Sequence, residues 1–91
     1  MDRQMDRIRD QYQAYLTTRR ENGPTTLIVV CDDGRQIVFD DDAYAVQRFC
    51  GVEIIPSLHH TALIGPEAIQ RLEDAGFEIR YVNSKGGNTH E

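Results

Sequence analysis

The sequence predicts an α/β (α+β) domain, a mixed sheet of about four strands with three helices in the order α-β-β-α-β-α-β. Three observations carry this. Apolar residues recur at helical spacing at the start of the chain, a continuous apolar β-branched run follows, and an Asp-Gly step then separates that run from a second one. Ninety-one residues suit a single domain, assigned to residues 1–82, with 83–91 as a polar, flexible tail.

Met5, Ile8, Tyr12, Tyr15 and Leu16 form one apolar stripe on a helix over residues 3–20. Asn22-Gly23-Pro24 ends it, because Gly suits the left-handed position after a helix and Pro cannot continue one. Thr26 to Cys31 is apolar on both faces and reads as a central strand. Asp33-Gly34 turns the chain into a second strand over 36–39, since both residues tolerate the positive φ of a type I′ hairpin. Ala43, Val46 and Cys50 share a helical face with Phe49 beside them, and Gly51 closes that helix. Val52 to Ile55 is a short third strand stopped by Pro56, with His59-His60 in the loop beyond. Pro66 and Glu67 open a third helix with Ala68, Leu72 and Ala75 inside and Ile69 alongside. Gly76 stops it, and Phe77, Ile79 and Tyr81 then alternate with Glu78 and Arg80 as in a strand with one solvated face.

The formal charge is −5, unevenly distributed: residues 1–20 sum to +2 and residues 21–91 to −7. Affinity for DNA of any sequence comes from cations neutralising phosphates. The body of the domain therefore repels a duplex, and only the first helix, with Arg19-Arg20 at its end, offers a basic footing. No apolar run approaches a membrane span, and the charged N-terminus is unlike a signal peptide, so the expected location is cytoplasmic. Cys31 and Cys50 are isolated and read as buried, reduced thiols.

Catalytic signals are weak. Asp40-Asp41-Asp42 fits an N-cap with first-turn carboxylates better than a hard-metal site, which needs further convergent carboxylates. Asp32 and Asp33 read as turn residues. Adjacent His59 and His60 lack the i, i+4 spacing of a helical zinc pair. Ser57 has no nucleophile elbow around it, no phosphate loop is present, and Gly86-Gly87 is spacer. Tyr12 and Tyr15 lie on the apolar stripe, which favours core packing over base stacking. These readings imply no enzyme, no metal and no cofactor.

With the elements in order, Tyr15 to Val82 resembles the N-terminal mismatch-recognition domain of the MutS family. The likeness is carried by Tyr15-Leu16, Pro24, the strand Leu27-Ile28-Val29-Val30, then Phe39, Asp40 and Asp41-Asp42-Ala43 without a gap. Further on, Pro56, His60, Gly76 and the run from Phe77 to Val82 are similar at slightly different spacing. The family's Phe-x-Glu, which wedges beside and hydrogen-bonds a mismatched base, falls on Arg35-Gln36-Ile37. The resemblance implies a binding module in a DNA transaction, acting through a protein partner or an accessory DNA contact, with DNA held weakly by the domain alone. Arg35, Gln36, Arg19 and Arg20 are the contact residues in that reading. The alternative is a small acidic inhibitor from a phage or mobile element that occupies a basic nucleic-acid groove. Its interface would be Asp32, Asp33, Asp40, Asp41 and Asp42.

Overall fold

A computed structural model describes residues 3–56 and 59–83, with side chains from Arg7 onward. The tail from residue 84, Gly86-Gly87, Ser57 and the Met5 side chain lie outside the described residues. The elements are α1 (Arg3–Arg20), β1 (Thr26–Asp32), β2 (Arg35–Phe39), α2 (Asp40–Cys50), β3 (Ile55–Pro56), β4 (His60–Ile64), α3 (Pro66–Asp74) and β5 (Glu78–Asn83). Among the described residues, three helices and a mixed sheet match the expected class, with five strands where about four were expected, in the order β3-β4-β2-β1-β5.

β1 is central because its side chains are apolar on both faces. Leu27 and Val29 point to one side and join Val38, Ala43, Val46, Ala62 and Leu72 in the core beneath α2 and α3. Ile28 and Val30 point to the other and join Ile37, Phe39 and Tyr15 beneath α1. The Asp33-Gly34 turn has φ of 55° and 81°, the left-handed pair a type I′ hairpin needs, and β1 and β2 pair antiparallel through Val30–Ile37. β1 pairs parallel with β5, from Thr26–Glu78 to Cys31–Asn83.

Four expectations are corrected. Residues 52–54 form no strand; only Ile55 and Pro56 pair, at the sheet edge where a proline is tolerated. His60 opens a five-residue strand antiparallel to β2, from Phe39–Thr61 to Gln36–Ile64, where a loop was expected. Asn83 belongs to β5, not to the tail. Tyr81 is 49% exposed and Ala75 is exposed, because α3 ends at Asp74 and covers only part of β5. The thiols of Cys31 and Cys50 are free, as expected, but half-buried.

Candidate functional site

The triple aspartate, expected as a cap, does not cap. Phe39 holds the N-cap position and no side chain bonds there. Asp40 turns β2 into α2 with φ of 50° and accepts the Tyr12 hydroxyl at 2.5 Å. That bond, more than burial, pushes the Tyr12 phenol up to about 12. Asp42 is buried against α1 and β1, accepting from Arg19 Nη1 at 2.6 Å and from the Ile28 N–H at 2.9 Å. Burial lifts its carboxyl above the usual aspartate range, against the pull of Ile28 and Arg19. Asp41 is exposed.

Asp32 is no turn residue either. It closes β1 and is buried, accepting from Arg7 Nε at 2.7 Å and from Gln11 Nε2 at 2.6 Å. Arg7 also reaches Asp33 at 3.5 Å. Each buried aspartate thus meets a cation from α1, which is how a charge survives in an interior. The proposed acidic face therefore splits. Asp32 and Asp42 turn inward, Asp40 is half-buried, and Asp33 and Asp41 stay exposed near opposite ends of β2.

The basic footing is reduced in the same way. Arg19 donates to Asp42 and to the carbonyls of Gly23 and Thr26, at 2.6 and 2.8 Å, so it is an internal strut. Arg20 is exposed. Arg35 opens β2 opposite Asp32, is exposed, and makes no ion pair among the described residues. Gln36 is half-buried on the opposite face of β2, because neighbouring strand residues alternate. Arg35 and Gln36 therefore cannot present one surface together. Ile37, at the position of the MutS-family carboxylate, is buried on the same face as Arg35.

Around Arg35 the structure assembles a groove that no sequence motif announced. α1 covers β1 but leaves part of β4 and β3 bare on that face. The resulting hollow, about 260 Å³, is lined by Arg7, Ile8, Gln11, Asp32, Arg35, Ile37, Ile55, Thr61 and Leu63. Leu63 and Ile55 are 50% and 46% exposed. The signal that could have found it is the alternation in Thr61-Ala62-Leu63-Ile64, where Ala62 is buried and Leu63 stands on the other face. Beside β4, the His59 ring lies flat on Tyr12, with centroids 3.5 Å apart and planes 8° from parallel, and His60 meets the exposed Tyr44 at 5.5 Å. His59 and His60 thus pack against different aromatics.

A second hollow, about 430 Å³, lies at the start of α3 among Cys50, Val52, Gly65, Pro66, Glu67, Ala68 and Arg71. Its Cys50 thiol already donates to the Ala68 carbonyl at 3.6 Å. Among the described residues, no three His, Cys, Asp or Glu side chains gather as a metal site, and no helix is long and apolar enough to cross a membrane. No protein-family model matches the chain, and no curated protein matches it.

Proposed function

We propose that this domain is a non-enzymatic binding module, that its partner is a protein, and that the contact surface is the groove between α1 and the β2-β4-β3 face. The observation that carries this reading is a half-exposed apolar floor, Ile55 and Leu63, beside Arg35, an exposed cation with no ion pair among the described residues. Exposed apolar surface rimmed by polar residues marks interaction sites, and arginine is enriched at protein interfaces. Duplex DNA fits this surface less well. Arg7 and Arg19 are engaged by Asp32 and Asp42, and the chain is net acidic. The setting in a DNA transaction rests on the resemblance to the MutS domain, and a cytoplasmic location suits that setting. There Arg35 takes the place of the wedge residue and gives the module an accessory contact. The acidic-inhibitor reading loses support, because two of its five aspartates are buried against arginines.

The test has two arms. A duplex titration at low and moderate salt should give at most weak, salt-sensitive binding. Affinity capture from the native host, followed by reconstitution with the captured protein, should lose binding with Leu63→Asp and weaken with Arg35→Ala. Asp41→Lys should leave it unchanged. Binding abolished by Asp41→Lys but intact in Leu63→Asp would restore the acidic face as the interface. Tight duplex binding would make DNA the primary ligand.

A further inference from the structure

The end of the sheet away from the groove carries a different surface. β5 closes the sheet order and, among the described residues, pairs only with β1. In that parallel ladder the Glu78 N–H bonds the Thr25 carbonyl at 3.2 Å. The backbone groups of residues 78, 80 and 82 therefore face β1, and those of Ile79, Tyr81 and Asn83 face outward, since strand residues alternate. An outward row of this kind is a template for another strand.

We infer that β5 pairs antiparallel with β5 of a second copy about a two-fold axis at Ile79, joining the two sheets edge to edge. The backbone restricts the choice, because only outward residues can exchange hydrogen bonds, so odd positions must meet odd positions. With Ile79 opposite the partner's Ile79, that pair exchanges both its bonds. Each Tyr81 N–H then reaches the partner's Phe77 carbonyl. The Phe77 N–H is not needed for this, and it is already bonded to the Leu72 carbonyl at 3.0 Å.

Side-chain chemistry selects this register. It sets Glu78 opposite the partner's Arg80, and Arg80 opposite the partner's Glu78, at the non-hydrogen-bonded positions where cross-strand side chains lie closest. Both residues are exposed, on the face that carries α1, and neither has an ion-pair partner among the described residues. On the other face Tyr81 lies opposite the partner's Phe77, with the two Ile79 side chains between. That arrangement covers the half-exposed Tyr81 ring and extends the core beneath α2 and α3, which Phe77 and Ile79 already flank. A shift to the next allowed register would oppose Arg80 with the partner's Arg80, a repulsive pair. The charges that blunt this edge toward other strands thus make it complementary to itself, as an isologous interface requires.

Sedimentation equilibrium on the full chain tests this, with a charge-reversal pair. The wild type should self-associate as a dimer. Glu78→Arg and Arg80→Glu, each alone, turn two attractive pairs into repulsive ones and should weaken the dimer about tenfold. Mixed in equal amounts, the two variants should recover wild-type affinity, since every pair is again opposite in sign. Hydrogen exchange on the wild type gives a readout that needs no variant. The Ile79 and Tyr81 amides should gain protection as concentration rises, while those of Glu78, Arg80 and Val82 stay protected throughout. A wild type that remains monomeric, single variants that dimerise unchanged, a mixture that does not recover, or Ile79 and Tyr81 amides insensitive to concentration would each overturn the proposal.

Discussion

Asp42 stands on α2, bonds Arg19 of α1 and receives the Ile28 N–H of β1, so one carboxylate ties together three elements. Removing it takes the carboxylate from a largely buried guanidinium, which keeps the Gly23 and Thr26 carbonyls, and the acceptor from a buried amide. Asp42→Ala should therefore cost about 3 kcal/mol, the lower end for breaking a buried pair, as read from urea unfolding. Asp42→Asn, which keeps an acceptor for Ile28, should cost less. The pH dependence has a definite sign. Burial raises the folded-state carboxyl above its ordinary value of 3.8, so the folded protein holds this proton more tightly than the unfolded chain. The contribution of this group to stability is greatest below the unfolded value and declines as pH rises through the folded one. The difference between wild-type and Asp42→Asn stability should follow that slope across mildly acidic pH, and a flat difference would refute it. The three aspartates were visible in the sequence at a helix start, which suggested a cap. The real partners of Asp40 and Asp42 lie far back along the chain: Tyr12 and Arg19 arrive with the docking of α1, and Ile28 with the packing of α2 against β1.

The β1–β2 hairpin was the most legible element, because its signal is local. Asp33-Gly34 supplies the backbone that a tight right-twisted turn needs, and the flanking runs supply the pairing. Gly34, with φ of 81°, should not tolerate a branched side chain. Gly34→Val should lose about 1–2 kcal/mol with little change in the groove or in α1, measurable by thermal unfolding and near-ultraviolet dichroism. β4 was the least legible. Its five residues, the first of them His60, sit between Pro56 and Pro66, and their strand character comes from hydrogen bonds to β2. The groove inherits that obscurity, for it exists where β4 extends beyond the cover of α1. Leu63 looks like any core leucine in the sequence and becomes a surface residue only through the width of the sheet.

At the scale of the whole molecule, net charge was a poor guide to the surface. The excess of arginine on the first helix and of aspartate after it suggested a basic face and an acidic one. Instead arginines of that helix draw two aspartates inward, Arg7 holding Asp32 from the surface and Arg19 meeting Asp42 in the interior, so both buried carboxylates leave the display and Arg19 largely leaves it too. The reading as a binding module predicts no nuclease, ATPase or other hydrolase turnover by the purified protein. Turnover abolished by Asp41→Ala or His60→Ala, with the fold intact by circular dichroism, would contradict it.

The parallel pairing of β1 with β5 also bears on how the chain is made. β1 is the most apolar strand, and one of its edges is closed at once by the hairpin that follows it. The other edge waits for Glu78–Asn83, which is synthesised after every other described strand. Until then a row of unpaired amides lies beside Leu27, Ile28, Val29 and Val30, the kind of segment that recruits strands from neighbouring nascent chains. Fragments that stop before residue 78 should therefore accumulate as aggregates and not as partly folded monomers, and a chaperone that holds extended apolar strands should bind them at residues 26–31.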